Sequence, residues 1–163
     1  INIDAIKYFL KEVWPEVINK HRDAKLLIAG KICHKLRIDS QNCEMLGEVS
    51  VISDCYQNAD IVINPVRFGT GLNIKNIEAL GFGLPLLTTP VGAEGLGNGI
   101  GEAFLVAKTS NDFIEQCCHL LEDDNLRQSL SSSAIKFAES YNKNAVQPLL
   151  NAIEKHTIKW KVK

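Results

Sequence analysis

The sequence predicts an α/β fold, a doubly wound parallel sheet covered on both faces by helices. Two observations carry this. Short apolar runs of strand length alternate with helical patterns along most of the chain, and those runs are too continuously apolar to leave one face in water. A third observation qualifies it: such a sheet ordinarily opens with a strand, whereas the first element here is helical. A first strand upstream of residue 1 would reconcile the two.

The opening element is read from Ile3, Ile6, Phe9, Leu10, Val13, Trp14, Val17 and Ile18, which recur at spacings of three and four and make one stripe of an amphipathic helix. Asn2 is its candidate cap. Pro15 inside the stripe predicts a kink or irregular turn near Val13. Leu26 to Ala29, closed by Gly30, reads as a buried strand, and further strands are expected at Cys43 to Leu46, Asp60 to Asn64, Pro85 to Thr89 and Ala103 to Ala107. Helices are expected between them at Lys31 to Ile38, Val51 to Asn58, Gly71 to Phe82 and Ser110 to Glu122. Ser50 is a candidate cap. Glu122, Asp123 and Asp124 would end one helix and cap the next. The remainder is helical, in two pieces at Asp124 to Ser140 and Ala145 to His156. No repeat, low-complexity tract or interior linker interrupts the chain, so residues 1–156 read as a single unit and 157–163 as a basic tail.

With 163 residues, 45% apolar and 23% charged, the chain can build a full core and is not disordered. Lys and Arg number 18 against 19 Asp and Glu, so there is no cationic excess for a nucleic-acid backbone. Cys33, Cys43, Cys55, Cys117 and Cys118 show no C-x-x-C spacing and read as reduced, mostly buried thiols. No N-glycosylation sequon or membrane-length apolar run occurs, which suits a cytosolic setting. Ile in place of an initial Met, with no signal-peptide pattern after it, predicts a piece of a longer polypeptide.

The chemistry concentrates between Asn64 and Leu96. A strand ends at Pro65, a loop with Gly69 and Gly71 follows, and the expected helix carries Lys75 and Glu78. In open α/β sheets ligands sit at the carboxyl ends of strands. Backbone N–H groups beside glycines at a helix start invite an anion, because nothing bulky keeps a phosphate away. Gly69, Thr70, Gly71 and Leu72 are therefore a candidate diphosphate cradle, with Lys75 about one turn on as a point charge. Glu78, on the same face as Lys75, suits a cis-diol, since a carboxylate accepts two hydrogen bonds as dinucleotide folds show with ribose. Cradle and diol acceptor together read as a nucleotide site. On spacing alone, a plain turn with a solvated Lys75–Glu78 pair is the slightly favoured reading.

The stretch RFGTGLNIKNIEALGFGLPLLTTPVGAEGL, with KLLIAGK and LGEVSVISDCYQNADIVINP before it, resembles the C-terminal donor-binding domain of GT-B glycosyltransferases of the retaining family 4, also called glycosyl transferases group 1. The similarity runs in order from about residue 1 to 140. The resemblance implies a Rossmann-like half of a GT-B fold whose first strand is missing. It implies that the chain binds a nucleoside-diphosphate sugar with UDP or GDP as carrier, and transfers the sugar to an acceptor held by an N-terminal domain of the same polypeptide. Polysaccharide biosynthesis is a common setting of the family. Glu78 matches the second glutamate of the family's E-x7-E signature, which binds ribose hydroxyls. The first glutamate's place is taken by Thr70, which bears on contacts to the transferred sugar. Gly47, Glu48 and Val49 resemble the turn that offers its backbone to the nucleobase; a tight turn into a helix is the equal alternative. Arg67 and Lys75 are the nearby cations, and Lys75 and Glu78 the residues expected to carry activity. Glu94 lies in the family's following loop.

His21, His34, His119 and His156 fit no metal or nucleophile pattern, no carboxylate cluster suggests a divalent ion, and GT-B enzymes generally work without one, so no metal or other cofactor is expected. Lys155, Lys159, Lys161 and Lys163 around Ile158, Trp160 and Val162 suit either a frayed or packed end or a peripheral contact with the inner face of a membrane. A sugar-nucleotide epimerase of related architecture and a non-catalytic domain that kept the fold are the alternatives. An NAD-binding domain is disfavoured, because no G-x-G-x-x-G follows an early strand.

Overall fold

The computed structural model describes residues 1–157. The apolar stripe folds as two helices, α1 (Asn2–Glu12) and α2 (Trp14–Lys20), broken at Val13 as the proline predicts. Pro15 lies in the first turn of α2, where its missing N–H removes no helical hydrogen bond. The break keeps both halves facing inward: Phe9, Val13, Trp14, Val17 and Ile18 are all buried. Asn2 is the first helical residue and the capping position falls to Ile1, which caps with no side chain.

Five parallel strands follow: β1 (Leu26–Ala29), β2 (Cys43–Gly47), β3 (Val62–Asn64), β4 (Leu86–Thr88) and β5 (Leu105–Val106). The helices between and after them are α3 (Ile52–Gln57), α4 (Ile74–Gly81), α5 (Ser110–Glu122) and α6 (Asp124–Thr157). The mixed α/β architecture is the expected one, with no closed barrel among the described residues. Its two-sided burial shows at β4, where consecutive residues point to opposite faces. Leu87 packs with Phe9, Val13, Phe113 and Leu120, while Leu86 packs with Leu80, Leu96, Phe104 and Ala134. Helices α1, α2 and α5 thus cover one face, and α4 and the middle of α6 the other.

Several boundaries differ from expectation for local reasons. The Lys31 to Ile38 segment is only a short 3-10 turn, Lys31–Lys35. Helix α4 starts at Ile74, not Gly71, because Gly71 has φ +81° and cannot enter a right-handed helix. Ser50 does not cap α3; Val51 stands there without a side-chain bond. Asp123 does cap α6, its Oδ1 accepting the Leu126 amide at 2.9 Å. Thr109 and Asp112 form a reciprocal capping box at α5. The two expected C-terminal helices are one continuous α6, with Pro148 inside it. All five cysteines are free, but only Cys117 and Cys118 are buried; Cys33, Cys43 and Cys55 are half-buried. Beyond Thr157 the basic tail lies outside the described residues. Among those described, no helix is long and apolar enough to cross a membrane.

The strands do not make one sheet. β1 pairs with β2, β3 with β4 and β4 with β5, and among the described residues no ladder joins the two groups. Between them lies a cavity of about 250 Å³ lined by Leu26 to Ala29 of β1, Ile63 to Pro65 at β3, Ala5, Ile6 and Phe9 of α1, and Lys75. The Leu26 and Gly30 amides bond toward β2, to Asn42 and Gly47, and the Val62 amide bonds toward β4, to Pro85. By the alternation of a parallel ladder, the amides of Leu27, Ala29 and Ile63 face the cavity. The doubly wound sheet is split where a strand between β1 and β3 would join it.

Candidate functional site

The site is built where β3 ends. Asn64, Pro65 and Val66 are buried, and from Arg67 to Leu72 the chain runs exposed before α4 begins. A chain of polar contacts fixes that junction. Asn64 Nδ2 donates to Asn76 Oδ1 at 2.8 Å, and Asn76 Nδ2 donates to the Gly92 carbonyl at 2.8 Å. Thr88 Oγ1 donates to the Asn64 carbonyl at 2.8 Å, and the Thr89 hydroxyl links the Val66 carbonyl to the Gly92 amide. Gly92 is required there, since a Cβ would run into the Thr88 hydroxyl. The end of β3, the first turn of α4 and the loop after β4 are therefore one rigid unit. Asn64 Oδ1 is the exception, buried and unpaired.

On this base stand the candidate ligand groups. Gly69 (φ +136°) and Gly71 (φ +81°) hold backbone that other residues rarely adopt, so the Gly69–Leu72 turn depends on them. The turn precedes the helix instead of forming its first residues, and Asn73 at the capping position makes no side-chain bond, leaving the first-turn amides of α4 unclaimed by a cap. One cradle amide has a partner: Glu94 Oε2 accepts the Gly71 N–H at 3.4 Å. A carboxylate thus already stands where an anion was expected.

Lys75 and Glu78 share one face of α4, whose other face buries Asn76, Ala79 and Leu80. Lys75 is exposed as a residue yet lines the cavity, and desolvation there lowers its pKa below the ordinary 10.5. Glu78 is exposed, and its Oε2 lies 3.4 Å from Tyr56 Oη, which is also 3.5 Å from the Lys75 carbonyl. The Tyr56 ring stacks on Phe82 with centroids 4.8 Å apart at 28°. Its hydroxyl pKa is pushed up to about 12, first by burial and then by the Glu78 charge.

The other candidates are placed as follows. Gly47 ends β2, in the other strand group, and Glu48 and Val49 follow it; Gly47 has φ +70° and its carbonyl accepts the Gly30 amide. Glu48 faces Lys31 at 3.9 Å and His34 at 3.4 Å. Helix α3 follows that turn and, through Tyr56, reaches Glu78. Arg67 does not stand free beside the cradle: Asp4 of α1 binds it with Nη2–Oδ1 at 2.7 Å, and it lies 4.7 Å over the Tyr8 ring. Among the described residues no group of three metal-ligating side chains occurs. Sequence reasoning missed Tyr56, Asn64 and Asn76. Of these only Asn76 left a signal, an amide among the apolar positions of its helix.

Comparisons agree with the resemblance at the level of the glycosyl transferases group 1 family. The family described as glycosyl transferases group 1 matches residues 1–123. A Klebsiella pneumoniae protein described as an uncharacterized 44.6 kDa protein in the cps region is 26% identical over 157 residues, covering 89% of this chain and 40% of its own. A glycosyltransferase from Rickettsia africae ESF-5 superposes with TM-score 0.70 at 16% identity, over 90% of this chain and 44% of that one. The pneumococcal O-GlcNAc transferase GtfA, solved with UDP and GlcNAc, gives TM-score 0.65 at 19% identity, over 92% and 33%. At these identities the structures show the shared GT-B fold, and the chain spans less than half the length of these proteins.

Proposed function

Since the chain belongs to the glycosyl transferases group 1 family, we propose that it is the donor-binding half of a retaining family 4 glycosyltransferase, taking a UDP- or GDP-linked hexose. The observation that carries this is the juxtaposition at the carboxyl end of β3: a glycine-built turn, then Lys75 and Glu78 on one exposed face of α4. The turn amides and Lys75 take the diphosphate; Glu78 takes the ribose hydroxyls; the Gly47–Val49 turn takes the base. In the reaction the bond from sugar C1 to the phosphate oxygen breaks and one from C1 to the acceptor oxygen forms, with the acceptor proton leaving. Negative charge grows on the β-phosphate, and the Gly69–Leu72 amides with Lys75 are placed to stabilise it. Arg67 is engaged by Asp4, so the cationic part falls to Lys75. No metal is required by this arrangement.

Acceptor binding belongs to a second, N-terminal domain, and the chain alone binds donor weakly and turns over little. Titration calorimetry with UDP and GDP to millimolar concentration tests the reading. One diphosphate should bind selectively, and Lys75→Ala and Glu78→Ala should each weaken it by about 1 to 3 kcal/mol. Absence of binding by the folded chain, also after addition of a strand ahead of Ile1, would leave the second reading, a non-catalytic domain. Thr70 in the glutamate position favours that one.

A further inference from the structure

We propose that Tyr56 is a positioning residue for Glu78, holding the carboxylate in the orientation that receives the ribose diol; this rests on the donor-site reading above. Glu78 projects from an exposed face of α4, and among the described residues its carboxylate has one hydrogen-bond partner, Tyr56 Oη at 3.4 Å. A free glutamate there would sample several rotamers and lose that freedom on binding. Tyr56 limits the sampling because its ring is itself held, stacked on Phe82 just past the end of α4. Its hydroxyl lies over the first turn, 3.5 Å from the Lys75 carbonyl, which competes with Glu78 for the single phenolic proton. The side chain therefore lies along α4 from one end to the other and meets Glu78 between.

The chemistry is suitable. A phenol has one proton to donate, and the raised pKa keeps it in place throughout the neutral range. Donated to Oε2, it occupies one acceptor site and leaves Oε1 and the remaining lone pairs for two sugar hydroxyls. Tyr56 also belongs to α3, the helix that follows the Gly47–Val49 turn. The residue that aims the diol acceptor is thus carried by the element that follows the proposed base site, which couples the two halves of a nucleoside.

Tyr56→Phe separates the hydroxyl from the ring, since the stack on Phe82 survives it. Calorimetric titration uses UDP, GDP and the 2′,3′-dideoxy forms of each. Wild type should prefer the ribose form, and Tyr56→Phe should weaken ribose-form binding about three- to tenfold, the range for one lost hydrogen bond, while leaving the dideoxy form unchanged. In a Glu78→Ala background the same substitution should change neither ligand. Equal weakening of both forms, or unchanged ribose binding, overturns the positioning role with the donor-site reading intact. A wild-type chain that binds no diphosphate either alone or with a strand added ahead of Ile1, or that does not discriminate the diol, overturns both.

Discussion

Asp4 grips Arg67 in a two-pronged ion pair, Nη2 to Oδ1 at 2.7 Å and Nε to Oδ2 at 3.1 Å, and so ties the start of α1 to the loop leaving β3. A guanidinium satisfied in this way, with its face over Tyr8, has little to offer a diphosphate. Arg67→Ala should therefore cost about 0.5 to 1 kcal/mol of stability, as a well-formed but half-exposed pair does, and change diphosphate affinity less than about twofold. Denaturant unfolding and the same titrations measure both. A loss of binding matching that of Lys75→Ala would show that Arg67 leaves Asp4 for the ligand.

The Glu94 carboxylate at the Gly71 amide is a like charge beside an incoming phosphate. Glu94→Gln keeps the shape and removes the repulsion, so free diphosphate should bind about two- to fivefold more tightly, a gain below 1 kcal/mol suited to an exposed charge. Weaker binding of the variant would mean that the carboxylate supports the site instead of competing for it.

Asn76 should be the costliest position on α4. It links Asn64 to Gly92 with both ends of its amide, and Asn64 Oδ1 already lacks a partner. Asn76→Ala strands the Asn64 amide and the Gly92 carbonyl in a dry environment, for an expected loss of about 2 to 4 kcal/mol. Thermal unfolding should show this as a fall in Tm of roughly 4 to 16 °C for a domain of this size. A fall smaller than that would mean water replaces the lost partners.

These cases also mark what a sequence alone could deliver. The alternation of strands with helices and the two-sided burial were legible, because periodicity and continuous apolar runs are local signals. The start of α4 was misplaced by assuming that the glycine turn flowed into the helix, whereas Gly71 sits at φ +81°. The polar YNKN segment near residue 142 looked like a helix break, yet exposed helix surface is as polar as a loop. Tyr56 with Glu78, 22 residues apart, and Asp4 with Arg67, 63 apart, are products of tertiary placement that no spacing rule reaches.

Lys75 gives the site a pH signature whose sign can be worked out. Desolvation lowers its pKa in the free protein below 10.5, and a bound diphosphate, being an opposite charge, raises it. Affinity is then full below the free-state pKa and falls as pH rises from that value toward the bound-state one, with proton uptake on binding in between. Titrations in buffers of different ionisation heat should detect that uptake on the alkaline side, and Lys75→Ala should abolish it. For folding the same shift works oppositely: a charged, desolvated lysine opposes folding at neutral pH, and stability recovers as pH climbs through the lowered pKa toward 10.5. Lys75→Met, which keeps the stem and drops the charge, should therefore be at least as stable as wild type at pH 7.

The cavity between β1 and β3 sets the last expectation. The amides of Leu27, Ala29 and Ile63 face it unpaired by the ladder alternation, Leu27 is 36% exposed although it lies in a strand, and Asn2 of α1 lies at its lining. Unpaired inner edges are unfavourable, and an apolar segment added ahead of Ile1 would enter parallel to both neighbours with α1 as the crossover to β1, the right-handed arrangement such units adopt. Adding about five strand-forming residues and a short turn at that end should raise Tm by several degrees, since about 2 kcal/mol corresponds to roughly 4 to 8 °C in a domain of this size. Hydrogen exchange at Leu27, Ala29 and Ile63 should slow with it. The same addition with proline at its centre supplies equal length without the hydrogen bonds, so it should leave Tm and the three amides unchanged. If both additions stabilise alike, or neither slows exchange at those residues, the gap is not a strand site and the two strand groups stand as separate sheets.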